Sequence, residues 1–186
     1  MAEAAFEYTP KQKVVMQMIK QADNILIGGA KGGGKSEVVI SSMAFDTPEI
    51  YNSTEARKQG IDKDNLYRVA NINGEVHYFK YLIDYPEFFG VFVRRTERAL
   101  TLATVKLAKT LYGRVGGVYN KSEMLFSFPS GAEIAFIAVN KPNHLDWFQG
   151  PPVMRLSIEE LTQFTEEEVD EMESCCRSTH PFIRAK

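Results

Sequence analysis

Apolar positions along this chain fall into two periods that take turns. Val14, Val15, Met18 and Ile19 recur at helical spacing within residues 9–22, where Thr9 suits a cap and Pro10 a first helical turn. Residues 24–28 then predict a short buried strand, and a second helix follows to about Phe45, ended by Thr47-Pro48. Residues 48–74 are polar and turn-rich. They predict an insertion carrying a short strand near residues 66–70, and residues 76–83 predict a helix leading back to the core. Residues 90–95 (Gly-Val-Phe-Val-Arg-Arg) predict a second buried strand, and residues 96–111 a helix with Leu100, Ala103, Leu107 and Leu111 on one face. Residues 124–128 and 133–139 flank Pro129-Ser130-Gly131, a hairpin signature. Residues 153–158 predict another strand, although Arg155 and Ser157 interrupt its apolar run, and residues 165–176 a very acidic helix. Strands alternating with helices predict an α/β fold. The expected form is a mostly parallel sheet flanked by helices, with a β-hairpin and an insertion after the first sheet-packed helix, in one domain across residues 1–186.

Between the first predicted strand and the second helix lies Gly29-Ala30-Lys31-Gly32-Gly33-Gly34-Lys35-Ser36, which fits G-x-x-x-x-G-K-[ST] without a mismatch. Glycines let the backbone curl so that successive N–H groups point at phosphate oxygens, and the helix N-terminus adds its positive dipole end. In this pattern Lys35 reaches the β- and γ-phosphates and the Ser36 hydroxyl ligates Mg²⁺. A nucleoside triphosphate with Mg²⁺ is the expected ligand, and a P-loop NTPase the expected fold. Hydrolysis also needs an acid for the metal and a base for water. Glu159-Glu160, at the end of the strand predicted over residues 153–158, supplies both: Glu159 for the metal and Glu160 for the water.

Composition narrows this picture only slightly. The chain has 186 residues, 44% hydrophobic and 25% charged, so a sizeable core is expected. A formal charge of −2 gives no overall electrostatic case for nucleic-acid binding and leaves local patches open. Cys175 and Cys176 are adjacent, which suits reduced thiols rather than an ordinary disulfide. His77, His144 and His180 are too scattered for a metal site. The start of the chain lacks the marks of a signal peptide, and no apolar run approaches the length of a membrane span. A soluble, intracellular protein is expected.

Four segments in order carry a family resemblance: residues 29–36, the strand ending Val93-Arg94-Arg95-Thr96, the hairpin over residues 126–134, and Ile158-Glu159-Glu160-Leu161-Thr162-Gln163-Phe164. Together, over residues 8–181, they resemble the ATPase domain of the large terminase subunit of tailed bacteriophages. The resemblance implies a motor that uses ATP to drive double-stranded viral DNA into a procapsid, in the host cell cytoplasm. The implied partners are the portal and procapsid, the small terminase subunit, and other copies of the chain in a ring, with no membrane. It makes Gln12, in Thr9-Pro10-Lys11-Gln12, an adenine-reading residue or an ordinary surface glutamine. Lys31 becomes a basic group near the γ-phosphate or a solvated one. Arg94 and Arg95 become nucleotide sensors, contacts to a neighbouring subunit, or a surface pair. Arg177, beyond the acidic helix, becomes a catalytic coupling residue.

Two departures stand out. Glu159 occupies a place where the family usually has Asp, and the chain stops at Lys186, without the cluster of Asp residues expected of a two-metal nuclease. An N-terminal piece of a motor is therefore expected. A nucleotide-binding assembly module without turnover, or another DNA-dependent P-loop ATPase of helicase type, stays open on the same residues. Under all of these readings, Lys35→Ala should weaken MgATP binding at least about tenfold, ~1.4 kcal/mol, because phosphate charge loses its cation. Calorimetry on the folded variant checks this, and unchanged affinity would remove the phosphate-loop assignment.

Overall fold

The N-terminal helix α1 (Pro10–Gln21) begins where the sequence says it should. Thr9 accepts from the Gln12 N–H while the Gln12 side chain returns to the Thr9 N–H, a capping box with Pro10 in the first turn. The structure, a computed structural model, describes residues 8–22, 24–28, 34–61, 67–150, 152–183 and 185. After α1 come α2 (Lys35–Phe45), β1 (Glu49–Asn52), α3 (Ser53–Lys58), β2 (Arg68–Ile72), β3 (Glu75–Lys80) and β4 (Phe89–Arg94). A continuous helix then passes from α4 (Glu97–Ala99) through a π-helical stretch (Leu100–Val105) into α5 (Lys106–Tyr112). The chain continues through β5 (Val118–Asn120), β6 (Leu125–Ser127), β7 (Glu133–Ala138), a 3₁₀ segment (Pro142–Gln149), β8 (Arg155–Ile158) and α6 (Glu166–Glu173).

The main sheet has the order β5-β6-β7-β4-β8. β4 sits between β7 and β8 and pairs with both in parallel, which requires apolar residues on both of its faces. Phe92 and Phe136 turn to one side, into a core with Ile40, Met43 and Phe45 of α2 and Leu111 and Tyr112 of α5. Val91, Val93 and Ala135 turn to the other, against Phe148 and Met172 of α6. α2 lies close to the sheet at Gly90, where a Cβ would come within 3.1 Å of Met43 Cε. Met16 and Ile19 of α1 pack on Val38 of α2. The result is an α/β fold with helices on both faces of a mixed sheet. Among the described residues no helix is long and apolar enough to cross a membrane.

Three expectations change. The sheet is not mostly parallel, because β5-β6-β7 is antiparallel and only the two ladders of β4 are parallel. Residues 24–28 form neither strand nor helix: Ile25 packs beside α1 and α2, whereas Leu26 is 80% exposed. Residues 76–83 are not helical. Glu75–Lys80 is the middle strand of a second, antiparallel sheet, β1-β3-β2, followed by a 3₁₀ turn. The strand-favouring residues Val76, Tyr78 and Phe79 are stabilised as a strand once partners lie on both sides. The expected insertion is thus a three-stranded unit. It is fastened to the body by Arg68, which donates to both Asp84 oxygens at 2.6 Å, and by buried Glu49, which accepts from the Tyr67 and Tyr85 hydroxyls at 2.5 and 2.8 Å. Burial first, and then the Glu49 carboxylate, push both of those phenols well above the usual tyrosine range.

The interrupted pattern of β8 has a physical explanation. Arg155 and Ser157 pair across from Gly90 and Phe92, the positions that face α2. Arg155 Nη2 donates to Asp46, at the end of α2, at 2.8 Å, and each side chain is only 7% exposed. Arg155 Nε has no partner, so desolvation is incompletely offset. Asp46→Ala should therefore destabilise the fold by about 3–5 kcal/mol, since it strands a buried guanidinium. The double change Asp46→Leu/Arg155→Met should recover most of that loss in urea unfolding; no recovery would mean the pair contributes more than mutual compensation.

Candidate functional site

The site gathers at the carboxyl ends of β4 and β8 and at the N-terminus of α2. Gly34, the residue before α2, has φ +69°, a left-handed conformation that costs other residues about 1–2 kcal/mol. A Cβ there would also lie 3.0 Å from Gln12 Nε2, so the Gln12 amide would have to shift to admit a side chain. This turn starts α2 at Lys35 and puts Lys35 and Ser36 in its first turn, where the helix dipole favours an anion. Residues 29–33, the expected cradle of Gly29, Ala30, Lys31, Gly32 and Gly33, lie outside the described residues.

Ser36 meets the predicted acid. Its Oγ donates to Glu159 Oε1, joining residues 123 apart in sequence. Glu159 is carried just past β8 and is fixed there by its N–H, which donates to the Val93 carbonyl at 2.9 Å. Its other oxygen accepts from Thr104 Oγ1 at 3.1 Å. Arg94, the last residue of β4, lies between the two acids. Its Nε stands 3.0 Å from Glu159 Oε2, in a buried ion pair whose N–H is not aimed as a hydrogen bond, and its Nη2 donates to Glu160 Oε1 at 3.0 Å. Its Nη1 donates to the Ala99 carbonyl at 2.8 Å. Glu160 itself has φ +59°, a conformation non-glycine residues seldom adopt, and its Oε2 accepts from Gln163 at 2.8 Å.

The structure therefore brings Gly34, Lys35, Ser36, Glu159, Glu160 and Arg94 to one region, and separates the other candidates. Gln12 is buried and aimed at the glycine turn: its Nε2 donates to Gly34 O at 3.4 Å and to Glu37 at 3.3 Å, while Oε1 belongs to the α1 cap. Of the two readings given to Gln12, the ordinary surface glutamine does not fit this burial, and its amide braces Gly34. Arg95 points to the other face of the sheet. It holds Glu168 through two bonds at 2.8 Å, which lower that carboxyl below its usual range, and it lies over Phe164. Arg177 is not at the site. It belongs to the segment that hydrogen-bonds Val153, at the opposite end of β8 from Glu159, and its Nη2 donates to the Gly150 carbonyl at 3.1 Å. The reason is that residues 175–177 run alongside the start of β8, with Val153 bridged to Cys176 in parallel. Both cysteines carry free thiols; Cys175 is held below its usual range by its contact with Cys176, and the Cys176 thiol is pushed up by the same contact.

Thr104 is the residue that sequence reasoning missed. Within residues 96–111 it is one of four threonines, with Thr96, Thr101 and Thr110, and nothing in the local pattern marks it out. Arg94 was expected only as one of a pair, and the division of labour between Arg94 and Arg95 follows from strand alternation, which sends neighbours to opposite faces.

A hydroxyl and a lysine at a helix N-terminus, with two carboxylates at a neighbouring strand end, are suited to bind a phosphate chain and orient a water against it. Among the described residues no three His, Cys, Asp or Glu side chains gather to hold a metal on their own. A hydroxyl and a carboxylate fit Mg²⁺, which keeps waters and takes its remaining ligands from substrate phosphates. Comparison with family models, curated proteins and solved structures returned no match.

Arg94→Met should expose how far the acids depend on their shared cation. With Arg94 12% and Glu159 19% exposed, the loss should cost roughly 2–4 kcal/mol in denaturant unfolding. Arg94→Lys should recover only part of it, because one ammonium cannot span both carboxylates and the Ala99 carbonyl. Full rescue by lysine would mean charge alone matters.

Proposed function

We propose that this chain is a Mg²⁺-dependent ATPase of the P-loop type, the motor domain of a phage large terminase. The observation that carries the reading is the Ser36–Glu159 hydrogen bond. It joins the last residue of the G-x-x-x-x-G-K-[ST] pattern to the first of the acidic doublet, the two residues that the sequence reading assigned to one metal.

Each residue has a role on this reading. Lys35 compensates charge on the β- and γ-phosphates, and the N–H groups at the start of α2 bind phosphate oxygens. Ser36 and Glu159 hold Mg²⁺, which when bound draws charge from the transferring phosphate. Glu160 accepts the proton of the attacking water. In the described geometry its Oε1 is engaged by Arg94, so Glu160 must leave that partner, or share it, to act as the base. Gln12 braces Gly34 and keeps the glycine turn against α1. Double-stranded DNA, the portal and procapsid, the small terminase subunit and a ring of copies are the partners this reading implies, in the host cytoplasm.

The engagement of Glu160 by Arg94 also favours a second reading, a nucleotide-binding assembly module without turnover. One experiment separates the two. Under the motor reading, Glu160→Gln should lower steady-state ATPase turnover by about 10²-fold or more while nucleotide affinity in calorimetry is nearly retained. A wild-type chain that binds MgATP without hydrolysing it supports the assembly module, and a loss confined to Glu159→Gln would reverse the roles of the two acids.

A further inference from the structure

Helical hydroxyls in this chain usually stay at home. Ser41 donates to the Glu37 carbonyl, Ser42 to the Val39 carbonyl at 2.7 Å and Thr110 to the Lys106 carbonyl at 3.4 Å. Such back-bonding is the ordinary way a hydroxyl in a helix is satisfied. Thr104 behaves differently. Only 1% exposed, it donates instead to Glu159 Oε2 at 3.1 Å, across 55 residues of sequence. It does so from the π-helical stretch Leu100–Val105, inside a helix that is α on either side. A π-turn adds a residue to the helical repeat and rotates the following side chains, and such turns are frequent at functional sites.

We infer that Thr104 is a positioning residue for the metal carboxylate, and that the π-helical turn exists to aim it. This rests on the reading of Glu159 as the metal acid. The two oxygens of Glu159 have different partners: Oε1 takes the Ser36 hydroxyl, and Oε2 takes Thr104 and the Arg94 ion pair. Arg94 alone does not fix the carboxylate, since its Nε is not aligned with it and its two other nitrogens are bonded to Glu160 and Ala99. Thr104 supplies the directional bond, so it determines which oxygen of Glu159 is presented toward Ser36. It matters more here than with a shorter acid, because Glu has one more rotatable bond than Asp to be held. Thr104 touches neither phosphate nor water; it acts through Glu159.

Hydrogen-bond partners of metal-holding side chains typically influence metal affinity by about 10–100-fold. The test compares Thr104→Val, which keeps shape and removes the hydroxyl, with Thr104→Ser, which keeps the hydroxyl. The readout is Mn²⁺ affinity by electron paramagnetic resonance on the chain loaded with a non-hydrolysable ATP analogue, alongside the Mg²⁺ dependence of turnover. Thr104→Val should weaken Mn²⁺ binding about tenfold, with the analogue's metal-free affinity unchanged, and Thr104→Ser should stay within about threefold of wild type. Thr104→Ala replaces Val if the latter does not fold. Equal Mn²⁺ affinity in wild type and Thr104→Val, or equal loss in Val and Ser, overturns the positioning role while leaving the ATPase reading intact. A wild-type chain that binds no metal with the analogue overturns the ATPase reading and this inference with it.

Discussion

Everything that gives this molecule a site depends on one carboxylate being held from three directions. Glu159 is reached by α2 through Ser36, by β4 through Arg94 and by the π-helical turn through Thr104, while its own backbone is pinned to Val93. None of these contacts is local. A partly buried carboxylate is costly unless charge and hydrogen bonds offset its desolvation, so the elements that supply them are held in one relative placement. The sheet order makes this possible, since β8 sits directly beside β4 and ends level with it.

Two arginines of the sheet, Arg155 buried and Arg94 partly buried, solve opposite problems with the same chemistry. Arg155, near the start of β8, neutralises Asp46 and ties the sheet to the end of α2. Arg94, at the end of β4, neutralises the acids across from the beginning of α2. α2 is thus anchored electrostatically to the sheet at both ends, with apolar contacts of Ile40 and Met43 between them. Arg95, one residue further along, is turned by strand alternation to the other layer, where Glu168 and Phe164 take it up.

Elements whose signals are local were legible in the sequence: the Thr9 cap and Pro10 first turn of α1, the hairpin turn with Gly131 at φ +101°, and the buried apolar run of β4. So was the convergence of Ser36 with Glu159, because the phosphate-loop pattern carries its own chemistry. Features that depend on partners far along the chain were not. Residues 76–83 read as a helix because a short apolar run has no decisive period until β1 and β2 flank Glu75–Lys80. Arg155 looked like a flaw in a strand until Asp46 was placed opposite. A π-turn leaves no trace in the spacing of Leu100, Ala103 and Leu107, so Thr104 was invisible. Arg177 was misplaced because proximity after an acidic helix says nothing about which end of the sheet the chain returns to.

The long reach of the Ser36–Glu159 bond has a consequence for how the chain comes into being. Contacts of the hairpin, such as Ser127 with Glu133, close a loop of only a few residues, whereas Ser36 and Glu159 are separated by 123. Loop closure costs more entropy as the separation grows, so near contacts have the advantage of forming first. Synthesis reinforces that order. The helix bearing Lys35 and Ser36 leaves the ribosome well before the strand that brings the two acids. The helix that carries Lys35 and Ser36 is thus available early and the two acids late, so the candidate site is not assembled until the sheet has been completed through β8.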